Sequence, residues 1–276
     1  MTQRRGADLG TVQETLLIPL YGRAVESRKK DPILTDPRAE EIVAAIDYDF
    51  ARFDGLPSLL GTVLRTSLFD GWVSEFLAAH PTGTVMEIGT GLNTRFERAD
   101  NDRARWFDLD LPDVIELRRA FFTDTPRRTM IAASVTDETW ADTVAAHSTG
   151  PYFFAAEAVL PYLTVTDVRH VIDLLATRFP GSTLALDTAG PGHFDTQDQH
   201  DALSKVDARM RWNCAGPARL AEWRPGAEVL ASHTLSGLPA PMYDALPATT
   251  QEMLTGLAAQ RLPQVEDYRL SLVHLL

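Results

Sequence analysis

From residue 82 onwards, short apolar segments alternate with segments whose apolar residues recur at helical spacing. The apolar segments lack the regular apolar–polar alternation of strands that have one solvent-facing side, so these strands are expected to be buried on both faces. Strands that alternate with helices form parallel sheets. The sequence therefore predicts an α/β fold, with a mostly parallel sheet covered by helices on both faces. The predicted strands are 84–89, 103–112, 128–135, 181–190 and one within 150–163, and the intervening helices are 112–122, 137–147 and 165–179.

Different patterns flank this alternation. Residues 1–81 contain three amphipathic helix patterns, 8–25, 36–46 and 58–80, and are predicted to form a helical N-terminal cap. Residues 82–276 are predicted to form the core domain, interrupted by a polar insertion at about 190–218. Later segments predict two further strands, 227–235 and 266–276, and a helix over 244–262. The expected helix caps are Asp8, Asp36 followed by Pro37, and either Thr166 or Asp167.

Charge and cysteine content limit the function classes. The formal net charge of -12 argues against nucleic-acid phosphates and anionic membranes as partners. Cys214 is the only cysteine, which excludes an intramolecular disulfide and fits a reducing cytoplasm. No apolar segment is long enough to span a bilayer, and the first residues lack the apolar stretch of a signal peptide. We expect a cytoplasmic protein whose partner is a small molecule.

The turn after the first predicted strand contains two glycines, Gly89 and Gly91, in the sequence EIGTGLNT. In doubly wound sheets, ligands bind beyond the carboxyl ends of the strands, where the strand order reverses. A dinucleotide fingerprint needs a third glycine in this turn, and Thr94 stands at its position. Glu87, just before the turn, suits S-adenosylmethionine, which carries cationic groups and no phosphate. The loop therefore favours S-adenosylmethionine over a nicotinamide dinucleotide.

The second predicted strand ends in FDLDLP, with Asp108 and Asp110 about twenty residues beyond the glycine turn. An acid at this distance can accept hydrogen bonds from both hydroxyls of a ribose. Either acid could instead cap the helix that follows. We expect at least one of the two to bind the ribose.

Several motifs in order resemble one known family. They are IGTGLNTRFERADN, RWFDLDLPDVIELRR, IAASVTDETW and AEAVLPYL, preceded by ESRKKDPILTDPRAEEI and LRTSLFDGWVSEFL. Together they resemble the leucine carboxyl methyltransferase family, and in particular its bacterial branch similar to the tetracenomycin polyketide O-methyltransferase. The resemblance is strong over about residues 24–163. It implies a Rossmann-like class I methyltransferase with a seven-stranded sheet.

The resemblance also implies roles for individual residues. Arg65 matches an arginine that binds the cofactor carboxylate, although a surface ion pair is its alternative. Asp110 matches the ribose acid better than Asp108 does. Glu157 matches an acid that faces the transferred methyl group, with a helix cap as its alternative. Arg95 is expected to tie the glycine loop to Asp110 or Asp108. The remaining matches are Gly89 and Gly91 under the methionine moiety, Ser134 and Val135 at the adenine, and Asn93 in place of an aspartate.

The methyl acceptor is left open by the sequence. A carboxylate needs no base, whereas a phenol or alcohol does, and His193 is the candidate catalytic base, followed by His200. No histidine lies in a motif matched to the family, and this favours a carboxylate as the methyl acceptor. The acceptor pocket is expected from the N-terminal helices, the 190–218 insertion and the region 239–243. The candidate pocket residues are Tyr21, Phe194, Met210, Trp212 and Tyr243.

The overall prediction is an S-adenosylmethionine-dependent O-methyltransferase that acts on a carboxylate or hydroxyl of a small molecule such as a polyketide, with a homodimer as one expected assembly. Two alternatives use the same fold. One is a nicotinamide-dependent oxidoreductase, against which the missing third glycine and Arg65 both speak. The other is a non-catalytic ligand-binding protein.

Overall fold

A computed structural model of the chain describes residues 5–6 and 9–276. Its main feature is a seven-stranded sheet in the order β5-β4-β3-β6-β7-β9-β8, in which β9 is antiparallel to both neighbours and the other pairs are parallel. The order reverses between β3 and β6, the first and fourth strands of this sheet. The strands are β1 Arg5–Gly6 and β2 Ile46–Asp47, which form a separate pair, then β3 Thr84–Ile88, β4 Arg105–Asp110, β5 Arg128–Ala132, β6 Tyr152–Ala156, β7 Ser182–Ala189, β8 Glu228–Thr234 and β9 Tyr268–Leu275.

Helices cover both faces of this sheet, so the predicted α/β architecture is confirmed. The period of two along each strand sends alternate residues to opposite sides. Met86 of β3 joins a core with the helices α6 and α7, whereas its neighbour Val85 joins a core with α3. The helices are α1 Leu17–Ser27, α2 Pro37–Ala45, α3 Pro57–Ala79, α4 Arg95–Ala99, α5 Pro112–Arg118, α6 Thr139–His147, α7 Val165–Arg178, α8 Pro191–Phe194, α9 Ala218–Trp223, α10 Ala240–Asp244, α11 Ala248–Gln260 and α12 Pro263–Glu266.

The structure confirms one of the predicted helix caps and contradicts others. Asp36 caps α2, since its side chain accepts the Ala39 N–H at 2.9 Å and Pro37 follows it. The predicted caps of α7 were wrong: Thr164 is the N-cap, and Asp167 completes the capping box from inside the helix. The predicted helix 244–262 begins only at Ala248, because Pro247 occupies the cap position. The predicted cap Asp8 lies outside the described residues.

The part of the chain before β3 is mainly helical, whereas the part after β7 begins with a segment of little regular structure and returns to the sheet as β8 and β9. The helix α1 packs against α2 and α3, and residues 191–212 form one short helix and two 3-10 turns. The division of the chain at residue 81, and the covering role of residues 190–218, stay predictions. Within residues 5–6 and 9–276, no helix is long and apolar enough to cross a membrane.

Candidate active site

A cavity of about 460 Å³ opens at the carboxyl ends of β3, β4 and β6, where the strand order reverses. This position is where doubly wound sheets bind their ligands. It is enclosed by residues 12–23 and 58–65 from the N-terminal region, by the turns that follow the strands, by residues 193–210, and by Leu235 and Tyr268. The volume lies in the range of small-molecule sites.

The glycine turn forms the floor of this cavity. Gly89 and Gly91 have φ angles of 63° and 50°, a region that disfavours side chains. A Cβ on Gly89 would lie 2.4 Å from Cγ2 of Val159, so the turn also needs a bare backbone for packing. Thr94, at the position of the absent third glycine, is buried and its hydroxyl hydrogen-bonds to Asp36.

The two candidate ribose acids have different surroundings. Asp110 lines the cavity, and its carboxylate accepts the backbone N–H groups of Gly91 at 2.7 Å and Leu111 at 2.8 Å. Burial raises its pKa to about 6. It does not cap the next helix, because Leu111 is the N-cap of α5.

Asp108 does not line the cavity. Its carboxylate is buried against the guanidinium groups of Arg118 and Arg128, at 3.0 and 2.7 Å. The cofactor contact predicted for Asp108 therefore has no support from its position, since its carboxylate pairs with both arginines and lies outside the cavity lining.

Arg65 and Glu157 face each other across the cavity wall. Arg65 Nε donates to Glu157 Oε1 at 3.0 Å, and Arg65 is only 8% exposed, so the surface ion pair considered for it is excluded. Glu157 also accepts from the Thr66 hydroxyl and from Arg95 Nη2. Burial alone would raise the pKa of Glu157, but Arg65 and Arg95 lower it to about 2. Glu157 is therefore a carboxylate at physiological pH, and it caps no helix.

Arg95 is structural, but its predicted partners were wrong. Its guanidinium contacts Glu87 at 2.6 Å, Asp70 at 2.7 Å and Glu157 at 2.5 Å, and it touches neither Asp108 nor Asp110. The predicted cofactor residue Glu87 does line the cavity, yet this ion pair holds both of its oxygens. The carboxylate of Glu87 thus ties β3 to α4 at the edge of the site.

The other predicted residues divide into two groups. Ser134 and Val135, which follow β5, line the cavity, as do Met210, His193 and His200. Four predicted acceptor-pocket residues do not line it. Trp212 is buried in the core beneath the sheet, Phe194 packs against the opposite core, Tyr21 hydrogen-bonds to Asp54, and Tyr243 hydrogen-bonds to Gln251. Aromatic character alone did not distinguish core from pocket.

His193 has a defined tautomer. Its Nδ1 lies 2.7 Å from the carbonyl oxygen of Gln264, which can only accept, so Nδ1 carries the proton and Nε2 has the free lone pair. Burial lowers the pKa of His193 to about 4. The ring packs 4.7 Å from that of Tyr268 and 5.7 Å from that of His200, measured between centroids.

Sequence reasoning missed Tyr162, Tyr268 and Asp187. The two tyrosines line the cavity, and Asp187 is fully buried behind Tyr268, to whose hydroxyl it is hydrogen-bonded. Asp187 lies near the carboxyl end of β7. The rule that selected Asp110, an acid at a strand's carboxyl end, would also have selected Asp187.

The strand order, the glycine turn and the acid Asp110 at the carboxyl end of β4 define a class I S-adenosylmethionine-dependent methyltransferase. Among solved structures, a DUF574 family protein from Streptomyces avermitilis superposes with a TM-score of 0.61 at 15% identity, covering 94% of this chain and 96% of that chain. A plantazolicin methyltransferase, BamL, in complex with a triazolic analog and SAH, superposes with a TM-score of 0.53 at 9% identity, covering 96% and 97%. At these identities the likeness concerns the fold alone.

Sequence comparisons give the family. The profile described as "Leucine carboxyl methyltransferase" matches residues 17–176, and the chain belongs to this family. It is 32% identical over 256 residues to the tetracenomycin polyketide synthesis O-methyltransferase TcmP of Streptomyces glaucescens, covering 92% of this chain and 93% of that one. It is 28% identical to the S-adenosyl-L-methionine-dependent methyltransferase dpfgK of Gibberella zeae, covering 62% of each. The chain is thus an S-adenosylmethionine-dependent O-methyltransferase, and the oxidoreductase and non-catalytic alternatives have no support.

Proposed function

We propose that this enzyme methylates a carboxylate oxygen of a small, polyketide-like natural product. The likeness to TcmP, which spans nearly the whole of both chains, supports the substrate class. The choice of a carboxylate oxygen depends on the pKa values of the histidine and tyrosine side chains at the acceptor end of the cavity.

The cofactor end fits S-adenosylmethionine, which supplies a methyl group on a cationic sulfur. We assign Arg65 to its carboxylate, Asp110 to its ribose hydroxyls, and Ser134 and Val135 to its adenine. Arg65 keeps Nη2 without a partner among the described residues, and Asp110 presents its carboxylate to the cavity. The backbone of Gly89 and Gly91 leaves room for close approach.

At the other end, the histidines and tyrosines that line the cavity all have pKa values shifted away from neutral pH. A general base works best when its pKa is close to the working pH. Burial lowers the pKa of His193 to about 4 and also lowers that of His200, whereas the pKa of Tyr162 is raised to about 12. A phenol would need a base here, and a carboxylate arrives already ionised. We therefore assign His193 to the wall of the acceptor pocket rather than to proton transfer.

The remaining tasks of the protein are to align the methyl donor with the acceptor and to exclude water from the site. Leu203, Met210 and Leu235 supply apolar walls around the acceptor. Glu157, ionised and held by Arg65 and Arg95, places negative charge beside the site assigned to the cationic donor.

The test is a screen of paired aromatic acids and phenols with S-adenosylmethionine, read by mass spectrometry as the gain of one methyl group. Mild alkali cleaves a methyl ester and leaves a methyl ether intact. We expect alkali-labile products from the acids. For the best acceptor, His193→Ala should keep kcat within a few-fold, with no rising limb near neutral pH. Alkali-stable products, or a loss of about a hundredfold in His193→Ala with cofactor affinity intact, would show base-assisted hydroxyl methylation instead.

We also propose that the enzyme works in the cytoplasm on a free small molecule, without a nucleic-acid or membrane partner. The net charge of -12 and the single cysteine support this. A homodimer is the assembly we propose, because the edge strand β8 leaves Val229 and Leu230 exposed. Light scattering coupled to gel filtration tests it, and a monomer mass would reject it.

A further inference from the structure

A closed ring of hydrogen bonds surrounds the inner side of Arg65. Arg65 Nη1 donates to the Tyr268 hydroxyl at 3.1 Å, and that hydroxyl donates to Asp187. Asp187 accepts the backbone N–H of Ala158 at 2.9 Å, and the preceding residue, Glu157, accepts from Arg65 Nε. The ring thereby joins α3, the turn after β6, β7 and β9.

The members of this ring differ in their access to ligand. Arg65, Glu157, Ala158 and Tyr268 line the cavity, whereas Asp187 is fully buried and does not. Asp187 can therefore influence the site only through Tyr268 and through the backbone of Ala158. Ala158 has a φ of 57°, which is unusual for a residue with a side chain, and the carboxylate of Asp187 holds its N–H.

The ring leaves Arg65 with little freedom. Two of its three nitrogens are bonded within the protein, and Nη2 is the one that has no partner among residues 5–6 and 9–276. A guanidinium recognises a carboxylate best when its fork is held in one orientation. The hydroxyl of Tyr268 supplies the second anchor that a single contact with Glu157 would lack.

We propose that Tyr268 and Asp187 are positioning residues that fix the guanidinium of Arg65 for the carboxylate of the methyl donor. This inference rests on the role assigned to Arg65 in the proposed function. It predicts that the two residues affect the affinity for ligands that carry the amino-acid carboxylate and not the affinity for ligands that lack it. S-adenosylhomocysteine carries it, and 5′-methylthioadenosine lacks it.

The experiment measures the affinity of both ligands by calorimetry for the wild type, Arg65→Ala, Tyr268→Phe and the double variant. We expect Tyr268→Phe to weaken S-adenosylhomocysteine about tenfold, the size of one hydrogen bond to a charged group. Its affinity for 5′-methylthioadenosine should change less than about twofold. In the Arg65→Ala background, Tyr268→Phe should cause no further loss, because Tyr268 acts through Arg65. The matched control is Tyr152→Phe. In the wild type, the hydroxyl of Tyr152 donates to the Ser148 carbonyl, and Tyr152 does not line the cavity.

The outcomes separate the inference from the function on which it rests. If Arg65→Ala weakens both ligands equally or neither, the carboxylate role of Arg65 is wrong. If Arg65→Ala selectively weakens S-adenosylhomocysteine but Tyr268→Phe is silent, affects both ligands equally, or adds to Arg65→Ala, only the positioning role is wrong. If circular dichroism shows that Tyr268→Phe does not fold, Asp187→Asn tests the same ring, and the same ligand selectivity is expected.

Discussion

The charge states of single side chains around the cavity depend on the balance between burial and the charges that lie next to them. Burial makes the ionised forms of Asp110 and Asp187 costly, and it thereby raises the pKa of each to about 6. Glu157 is equally enclosed, yet Arg65 and Arg95 lower its pKa to about 2. Thus the carboxylate of Glu157 is ionised at physiological pH, and its charge is set by contacts with residues that are distant in the sequence.

The low pKa of His193 gives a prediction about stability. Its folded-state pKa of about 4 lies below the ordinary value of 6.5, so the folded protein resists protonation of this ring. The resulting contribution to stability is complete above about pH 6.5 and is lost as the pH falls towards about 4. The unfolding free energy of the wild type should therefore fall more steeply over this range than that of His193→Gln.

Urea unfolding of the two proteins between about pH 7 and about pH 4.5 checks this. Asp110, Asp187 and His200 are present in both, so the difference reports the loss of His193 together with its electrostatic effect on the neighbouring His200. Parallel pH profiles would contradict a buried, neutral imidazole at this position.

At the scale of elements, caps and ion pairs decide where helices begin and how they attach. The helix α7 starts with a capping box in which Thr164 Oγ1 accepts the Asp167 N–H at 3.2 Å, while Asp167 accepts from Thr164. The helix α4 is attached to α3, β3 and the turn after β6 through Arg95, and a second time to α3 through Arg98, which contacts Asp70 at 2.6 Å. The contacts of Arg95 fix Glu87 and Glu157, which line the cavity.

The capping box predicts different effects for two nearby threonines. Thr164→Ala removes the cap and should lower the unfolding free energy by about 1 kcal/mol. Thr166→Ala is the matched control, because Thr166 is exposed and makes no side-chain hydrogen bond within the described part of the chain. Chemical denaturation measures both. Equal effects of the two substitutions would indicate loss of helix propensity or side-chain packing rather than of a cap.

For the whole molecule, the cavity joins parts of the chain that are distant in sequence, from Val12 to Tyr268. A ligand bound there stabilises the folded chain as a unit, by about 2.7 kcal/mol at a hundred times its dissociation constant. S-adenosylhomocysteine should therefore raise the midpoint of thermal unfolding by roughly 5 °C or more. NADH should leave it unchanged. A calorimetric scan with each ligand measures the shift, and stabilisation by NADH would contradict the cofactor site.

The cofactor end of the site was predictable because its residues are local in sequence. A strand, a glycine turn and an acid after the next strand lie within residues 84–110, and the parallel sheet brings their carboxyl ends together. Short-range pattern therefore identified Gly89, Gly91 and the pair Asp108 and Asp110, the family resemblance preferred Asp110, and of the two acids only Asp110 lines the cavity. The family resemblance added Arg65 and Glu157, from elements far from this segment.

The acceptor end was not predictable in the same way. Phe194 and Trp212 are aromatic residues of one polar segment that also contains Met210, yet only Met210 lines the cavity. Periodicity cannot decide this, because the segment has no long helix or strand to fix which side chains face inwards. The direction of each side chain is set by packing against residues far away in the chain.

The amino-acid sequence by itself determined the α/β class, the parallel strands, the glycine turn and the cofactor, because each depends on local pattern or on motif order. Only the tertiary structure decided which charges meet. Arg95 bonds to Glu87, Asp70 and Glu157, Asp108 is enclosed by Arg118 and Arg128, and Tyr268 reaches Arg65 across 203 positions. An isolated buried charge is costly, so each must find a partner, but sequence does not say which of several acids lies within reach. That choice follows from the folded arrangement of the strands and helices.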